Sequence, residues 1–155
     1  MSLKDFLAIS GQSGLFKYIA QGRNGLVVES LLTGKKTFIT SAQKVSILED
    51  IAIFTDNGEV ALKEVFKNIY NKENGGPALS HKSSENELKK YMEEILPDYD
   101  RERVYVSDIR KILQWYNILQ EKNLLNFEEE NKEEETKESI SNNEISTDYN
   151  TKKEN

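Results

Sequence analysis

The apolar residues of this chain change their spacing once, at Asp56-Asn57-Gly58, and that change constrains the fold more than any other feature. Before it come short runs: Leu15-Phe16-Lys17-Tyr18-Ile19, Leu26-Val27-Val28-Glu29-Ser30-Leu31, Thr37-Phe38-Ile39-Thr40, Val45-Ser46-Ile47 and Ile51-Ala52-Ile53-Phe54. Runs of this length, broken by turn residues, read as strands. After it, Leu62, Val65, Phe66, Ile69 and Tyr70 recur at i, i+3, i+4, i+7 and i+8, which places them on one face of a helix. Strands come first and helices follow, which predicts an α+β protein.

Turn chemistry supports the strands. Gly22-Arg23-Asn24-Gly25 contains Asn-Gly, whose residues tolerate the positive φ of a tight hairpin turn. Thr33-Gly34-Lys35-Lys36 is a second turn. Short strands at regular spacing predict a small SH3-like β-barrel or meander, and closure would remove exposed edges. The helix after Glu59 must bury its apolar face, most simply against the open end of the sheet. Asn74-Gly75-Gly76-Pro77 stops it.

Ser84 and Glu87 have the spacing of a capping box. The helix they open carries Leu88, Tyr91, Met92, Ile95 and Leu96 on one face, and Pro97 ends it. Ser107 is the expected N-cap of a third helix, with Asp108 in its first turn. Ile109, Ile112, Leu113, Tyr116 and Leu119 line its face, and Trp115 and Ile118 widen the stripe enough to predict burial on two sides. Leu124, Leu125 and Phe127 read as a closing clasp. The expected organisation is a strand-rich domain with its helix (1–72), a linker (73–83), a helical hairpin (84–127) and a disordered acidic tail (128–155). The hairpin is too small for a robust core, so it should dock on the strand-rich part or on another subunit.

Charge follows the same division. The 155-residue chain has a net charge of −6, and residues 128–155 hold ten acids and four lysines, also −6. Residues 1–127 therefore sum to zero, which argues against a broad nucleic-acid surface. The tail is too polar to offset its ordering entropy. There is no cysteine, which excludes disulfides, thiolate catalysis and Cys-based metal sites. Lys4 and Asp5 interrupt any signal-like apolar run, and no run approaches a membrane span. The expectation is a cytoplasmic protein with no membrane, metal or cofactor.

Several segments together resemble a known family. They are Leu7-Ala8-Ile9-Ser10-Gly11 leading through Gly14 to Leu15-Phe16-Lys17, then 24–31, 45–55, Leu96-Pro97-Asp98-Tyr99-Asp100-Arg101-Glu102-Arg103-Val104-Tyr105, and Ser107 to Leu119. The pattern resembles an uncharacterised family of small Bacteroidota proteins: a domain of unknown function followed by a short helical domain. The resemblance covers most of residues 3–127. It departs at Gln12-Ser13, where the family pattern has Lys-Pro. It implies a bacterial cytoplasmic protein and carries over no catalytic residue.

Function has to be sought in the residues themselves. Gly11-Gln12-Ser13-Gly14 fits neither a nucleophile elbow nor a phosphate loop and reads as a turn. His81, the only histidine, sits among Gly, Pro and Ser and reads as an exposed linker residue. Asp98, Asp100 and Glu102 start like a calcium loop, but Arg103 stands where glycine is required. They read better as partners of Arg101 and Arg103.

Three of the four arginines lie between Pro97 and Leu119, whereas the rest of the chain, Arg23 apart, uses lysine. Arg101, Arg103, Tyr105 and Arg110 are thus the candidates for a protein-binding surface, since arginine and tyrosine dominate binding hot spots. Their competing use is an internal clamp of arginines on nearby acids. A second candidate is an aromatic and basic face of the sheet, Lys17, Tyr18, Arg23, Asn24, Lys35 and Lys36, of the kind that binds RNA. The leading expectation is a non-enzymatic binding or adaptor protein with a protein partner. An RNA- or ribosome-associated protein is the alternative, an enzyme comes third, and a homo-oligomer is possible.

Overall fold

The structure, a computed structural model, describes residues 2–125 and Phe127. The expected disordered tail, 128–155, lies outside the described residues. Residues Ser2–Leu124 form one compact unit.

Five strands form an antiparallel sheet: β1 (Phe6–Ile9), β2 (Phe16–Gly22), β3 (Gly25–Ser30), β4 (Lys36–Thr40) and β5 (Val45–Ile47). Their order is β4-β3-β2-β1-β5. The chain runs as a meander through β4, and β5 then returns to pair with β1. The strands enclose Leu7, Ile9, Phe16, Val28 and Ile39, with Leu26 and Val45 packed against that cluster. Strand β1 was not foreseen from the sequence. Phe6, Leu7 and Ile9 are all buried, so the strand lacks the polar alternation of a half-exposed one.

Asn24 takes the left-handed conformation at the tip of the β2–β3 hairpin, with φ of 63°. Gly22 and Gly25 pair across the neck of that hairpin, and a β-carbon on either would lie 2.7 Å from the ring of Phe38. The phenyl ring therefore covers bare backbone, and only glycine leaves room for it.

A 3-10 turn (Leu48–Asp50) leads into β6 (Ala52–Thr55) and β7 (Gly58–Ala61), a separate two-stranded hairpin. Strand β7 replaces the first turn of the expected helix. Its four residues are too short to show a period of their own, and α1 begins only at Leu62 (Leu62–Lys72). Helix α1 packs chiefly on β7, the 3-10 turn and α2 (Glu85–Ile95), not on the open end of the sheet as expected. The β6–β7 hairpin directly precedes it and reaches its apolar face first.

Helix α3 (Val106–Glu121) buries Ile109, Ile112, Leu113, Trp115, Tyr116, Ile118 and Leu119. Its Tyr116 ring meets Phe66 of α1 edge-on, at 6.0 Å between centroids. It also reaches the sheet: Gln114 Nε2 donates to Ser13 Oγ at 3.3 Å. The Gly11-to-Gly14 segment is a turn with positive φ at both glycines, 82° and 85°. Docking of the helical hairpin on the strand-rich part is thus what the fold shows.

The segment expected as a linker is strapped along α3. Asn117 Oδ1 accepts from the Ala78 N–H at 2.7 Å, and Asn117 Nδ2 donates to the Ala78 carbonyl at 3.3 Å. The Tyr116 hydroxyl donates to the Gly76 carbonyl at 2.9 Å. His81, expected to be exposed, is half-buried here, with its imidazole pKa lowered by burial and then by Lys82 and Arg110.

Candidate binding groove

The arginine-rich connector shows how its residues are used. The Pro97 ring ends α2, and Arg101 folds back over that end, donating to the Tyr99 carbonyl at 2.7 Å and the Pro97 carbonyl at 3.1 Å. Its guanidinium also lies 4.4 Å from the centroid of the Tyr99 ring. Arg110 donates to the carbonyls of His81 at 2.6 Å and Ser83 at 3.1 Å. Both arginines therefore serve backbone carbonyls left open where a helix or strap ends. Tyr105 is 64% exposed and marks the start of α3, where its N–H donates to Asp108 Oδ2 at 2.9 Å. That bond starts α3 at Val106 and corrects the expected cap, since Ser107 lies inside the helix.

Arg103 is placed differently. Its Nε donates to Asp100 Oδ2 at 2.8 Å, and its guanidinium lies 4.2 Å from the centroid of the Phe54 ring. Asp100 also accepts from the N–H groups of Glu102 and Arg103. Bonding to Arg103 above all, then to these amides, holds its carboxyl below the usual value of 3.8.

Arg103 and Phe54 stand at one end of a groove along α3. Two adjoining cavities, about 230 and 280 Å³, share Ile51, Lys111 and Trp115. The first runs from Ile51–Phe54 of the hairpin to Arg103, Val104, Asp108 and Ile112. The second continues to Ala8 and Ile9 of β1, to Ser10 and Gly11 just after it, and to Lys44 and Ser46. Trp115, 8% exposed, forms floor common to both. Neither Lys44 nor Lys111 is paired with a carboxylate among the described residues. The groove is thus apolar at its base and positive along its rim. Lys44, Phe54 and Lys111 were missed in the sequence. The signal available was the spacing of Asp108, Lys111 and Trp115, three and then four residues apart on one helical face.

The second candidate face is less basic than its residue types suggest. Lys17 lies opposite Glu29, and Glu29 opposite Lys36, so the row across the sheet alternates in sign. Phe38, 47% exposed, shares that face, whereas Tyr18 pairs with the buried Val28 and stands on the opposite one, so the expected aromatic and basic face is divided. Arg23 and Asn24 are exposed at the hairpin tip, and Lys35 is exposed in the turn before β4.

Comparison with known proteins divides the chain at the 3-10 turn. Residues 3–48 match the domain of unknown function DUF5606, and residues 51–119 match the domain of unknown function DUF6852. No curated protein matches the chain. A protein from Bacteroides vulgatus, a structural-genomics target solved by solution NMR, is 43% identical to it, with a TM-score of 0.68. The match covers 81% of this chain and 91% of that one. The chain belongs to that protein's family. In this DUF5606–DUF6852 arrangement the five-stranded sheet is the first domain, and the β6–β7 hairpin with all three helices is the second. The change of domain falls near residue 50, and α1 goes with the helices that follow it. The groove lies between the two domains, taking Lys44 from the first and Arg103, Lys111 and Trp115 from the second. Among the described residues, no helix is long and apolar enough to cross a membrane, and no group of three acids or histidines could hold a metal ion.

Proposed function

We propose that this protein is a non-enzymatic binding or adaptor protein that engages a protein partner in the groove along α3. The observation that carries this reading is the meeting of an apolar base with rim lysines that have no carboxylate partner among the described residues. Trp115 and Ile112 offer apolar surface, while Lys44 and Lys111 are placed to meet acidic side chains. Desolvated aromatic surface ringed by charge is how protein interfaces gain both affinity and specificity. Of the connector residues, Arg103 remains part of the surface, whereas Arg101 and Arg110 are engaged by backbone carbonyls. The Asp100 carboxyl is held down in an ion pair, which suits a structural clamp better than acid–base work. A chain without cysteine suits the cytoplasm.

Affinity purification from native lysate tests the reading, with and without nuclease, using wild type and Lys111→Glu. A nuclease-resistant partner that Lys111→Glu loses is the expected result. A partner set that Lys111→Glu keeps in full overturns it.

RNA binding on the sheet is the second reading, favoured by the exposed ring of Phe38 on the same face as Lys17 and Lys36. Glu29 between the lysines weighs against it. Nuclease-sensitive partners lost on Lys17→Glu/Lys36→Glu would favour it.

A further inference from the structure

The edge of β6 beside the groove is an unfinished sheet. Strand β6 pairs with β7 through a two-residue turn, with Thr55 opposite Gly58 and Ile53 opposite Val60. In an antiparallel ladder, alternate residues turn their N–H and C=O toward the partner strand. The Leu62 N–H bonds to the Ile51 carbonyl, which puts Ile51, Ile53 and Thr55 in the bonded set. Ala52 and Phe54 therefore direct their backbone groups to the other edge. The Phe54 carbonyl does so visibly, accepting from the Asp100 N–H at 3.0 Å.

That contact begins a third strand which the chain does not complete. Thr55 forms a lone antiparallel bridge with Tyr99, and the Asp56 N–H bonds to the Asp98 carbonyl. One residue further on, the Asp100 carbonyl would meet the Phe54 N–H if the strand continued. It accepts from the Val104 N–H instead, at 2.9 Å, and the chain turns away into α3. The Phe54 N–H and both backbone groups of Ala52 are left facing the first cavity, with no partner among the described residues. An open edge of this kind is a template for an added strand.

We propose that the groove takes an extended acidic segment of a partner protein as a third strand on β6. The inference rests on the reading of the groove as a protein-binding site and specifies how the partner binds. The open edge offers backbone bonds, Trp115 and Ile112 offer apolar floor, and Lys44 and Lys111 fix the charge of the ligand. A segment that alternates acidic and apolar residues satisfies all three, because strand period two separates the two sets.

The test uses the full chain labelled with nitrogen-15 and a blocked nonapeptide alternating glutamate and leucine. The peptide is expected to shift the amides of Ala52 and Phe54 and the Trp115 indole, and to slow hydrogen exchange at Ala52 and Phe54. Methylating every second peptide nitrogen should weaken binding about tenfold in one register and leave it unchanged in the other, since a strand shows its partner alternate amides. Lys44→Glu/Lys111→Glu should cut affinity by a similar factor, with the melting temperature as the check on folding. Groove shifts indifferent to both methylation registers overturn strand addition while leaving the groove a protein site. No groove shift with this peptide at millimolar concentration overturns the strand proposal. If the lysate partner is also indifferent to Lys111→Glu, the protein-binding reading falls with it.

Discussion

The guanidinium of Arg103 rests 4.2 Å from the centroid of the Phe54 ring while its Nε holds the Asp100 carboxylate at 2.8 Å. One side chain thus joins the β6–β7 hairpin to the connector before α3. Arg103→Lys keeps the charge but loses the planar stack and the directed Nε bond. It should lower stability by about 0.5–1 kcal/mol, the range of an exposed cation–π contact. Urea denaturation measures this, and a double-mutant cycle with Phe54→Leu isolates the stack; zero coupling would refute it.

The Asp100 carboxyl titrates below 3.8 in the folded chain because Arg103 and two amides favour its charged form. Its contribution to stability is complete above the unfolded value and is lost as pH falls through the folded one. Asp100→Asn should flatten the acid limb of the stability curve below about pH 4, the reference carboxyl range. An unchanged acid limb in thermal melts from pH 2 to 5 would contradict the assignment.

The Tyr116 hydroxyl is pushed up to about 12, chiefly by burial and then by Glu73 and Tyr70. A raised acid favours the folded state below its ordinary value of 10.0 and loses that contribution as pH rises through the folded one. Ultraviolet titration should show part of the tyrosine absorbance appearing only well above pH 10, together with unfolding. Tyr116→Phe should shrink that late component and leave the share of Tyr91, whose hydroxyl is also pushed up by burial and by its bond to Glu73.

Asn117 is the main anchor of the strap over α3, bonding both backbone groups of Ala78. Asn117→Ala leaves both without that partner and should cost about 1–3 kcal/mol. Amide exchange at Ala78 should accelerate selectively, ahead of the α3 core. Uniform acceleration throughout would mean that the strap has no local stability of its own.

Gly25 has no room for a side chain, since a β-carbon there would collide with the Ile39 carbonyl and the Phe38 ring. Gly25→Ala should cost about 1–3 kcal/mol as an overpacked site. Gly34→Ala meets no atom and pays only for its φ of 77°. Comparing the two melting temperatures separates crowding from backbone strain.

The change of period at residues 56–58 foretold the succession of strands and helices because it reports which face is buried. It missed β1, buried on both faces, and β7, too short to have a period. Ser84 caps α2 as foreseen, its Oγ accepting from the Glu87 N–H at 3.3 Å, because a cap depends only on neighbours in sequence; the box is half formed, since Glu87 Oε1 accepts from the Ser84 hydroxyl at 3.0 Å instead of from the Ser84 N–H. Tyr105 begins α3 through the Asp108 carboxylate, which a search for small polar caps overlooks. The clamp role of Arg101 and Arg110 was half legible. Acids were the expected partners, whereas carbonyls of Pro97, Tyr99, His81 and Ser83 take most of their bonds, and backbone acceptors leave no trace in residue type. The groove stayed hidden because Lys44, Phe54 and Lys111 come from three elements that only the fold assembles.

The turn from Asp100 to Val104 decides whether the β6 edge stays available. Two or three residues inserted there would let the chain complete its own third strand and occupy the slot from within. The length of this one connector thereby becomes a readable trait across the family. A member with a turn this short would leave its β6 edge open, and a member with a longer one would cover that edge with its own chain.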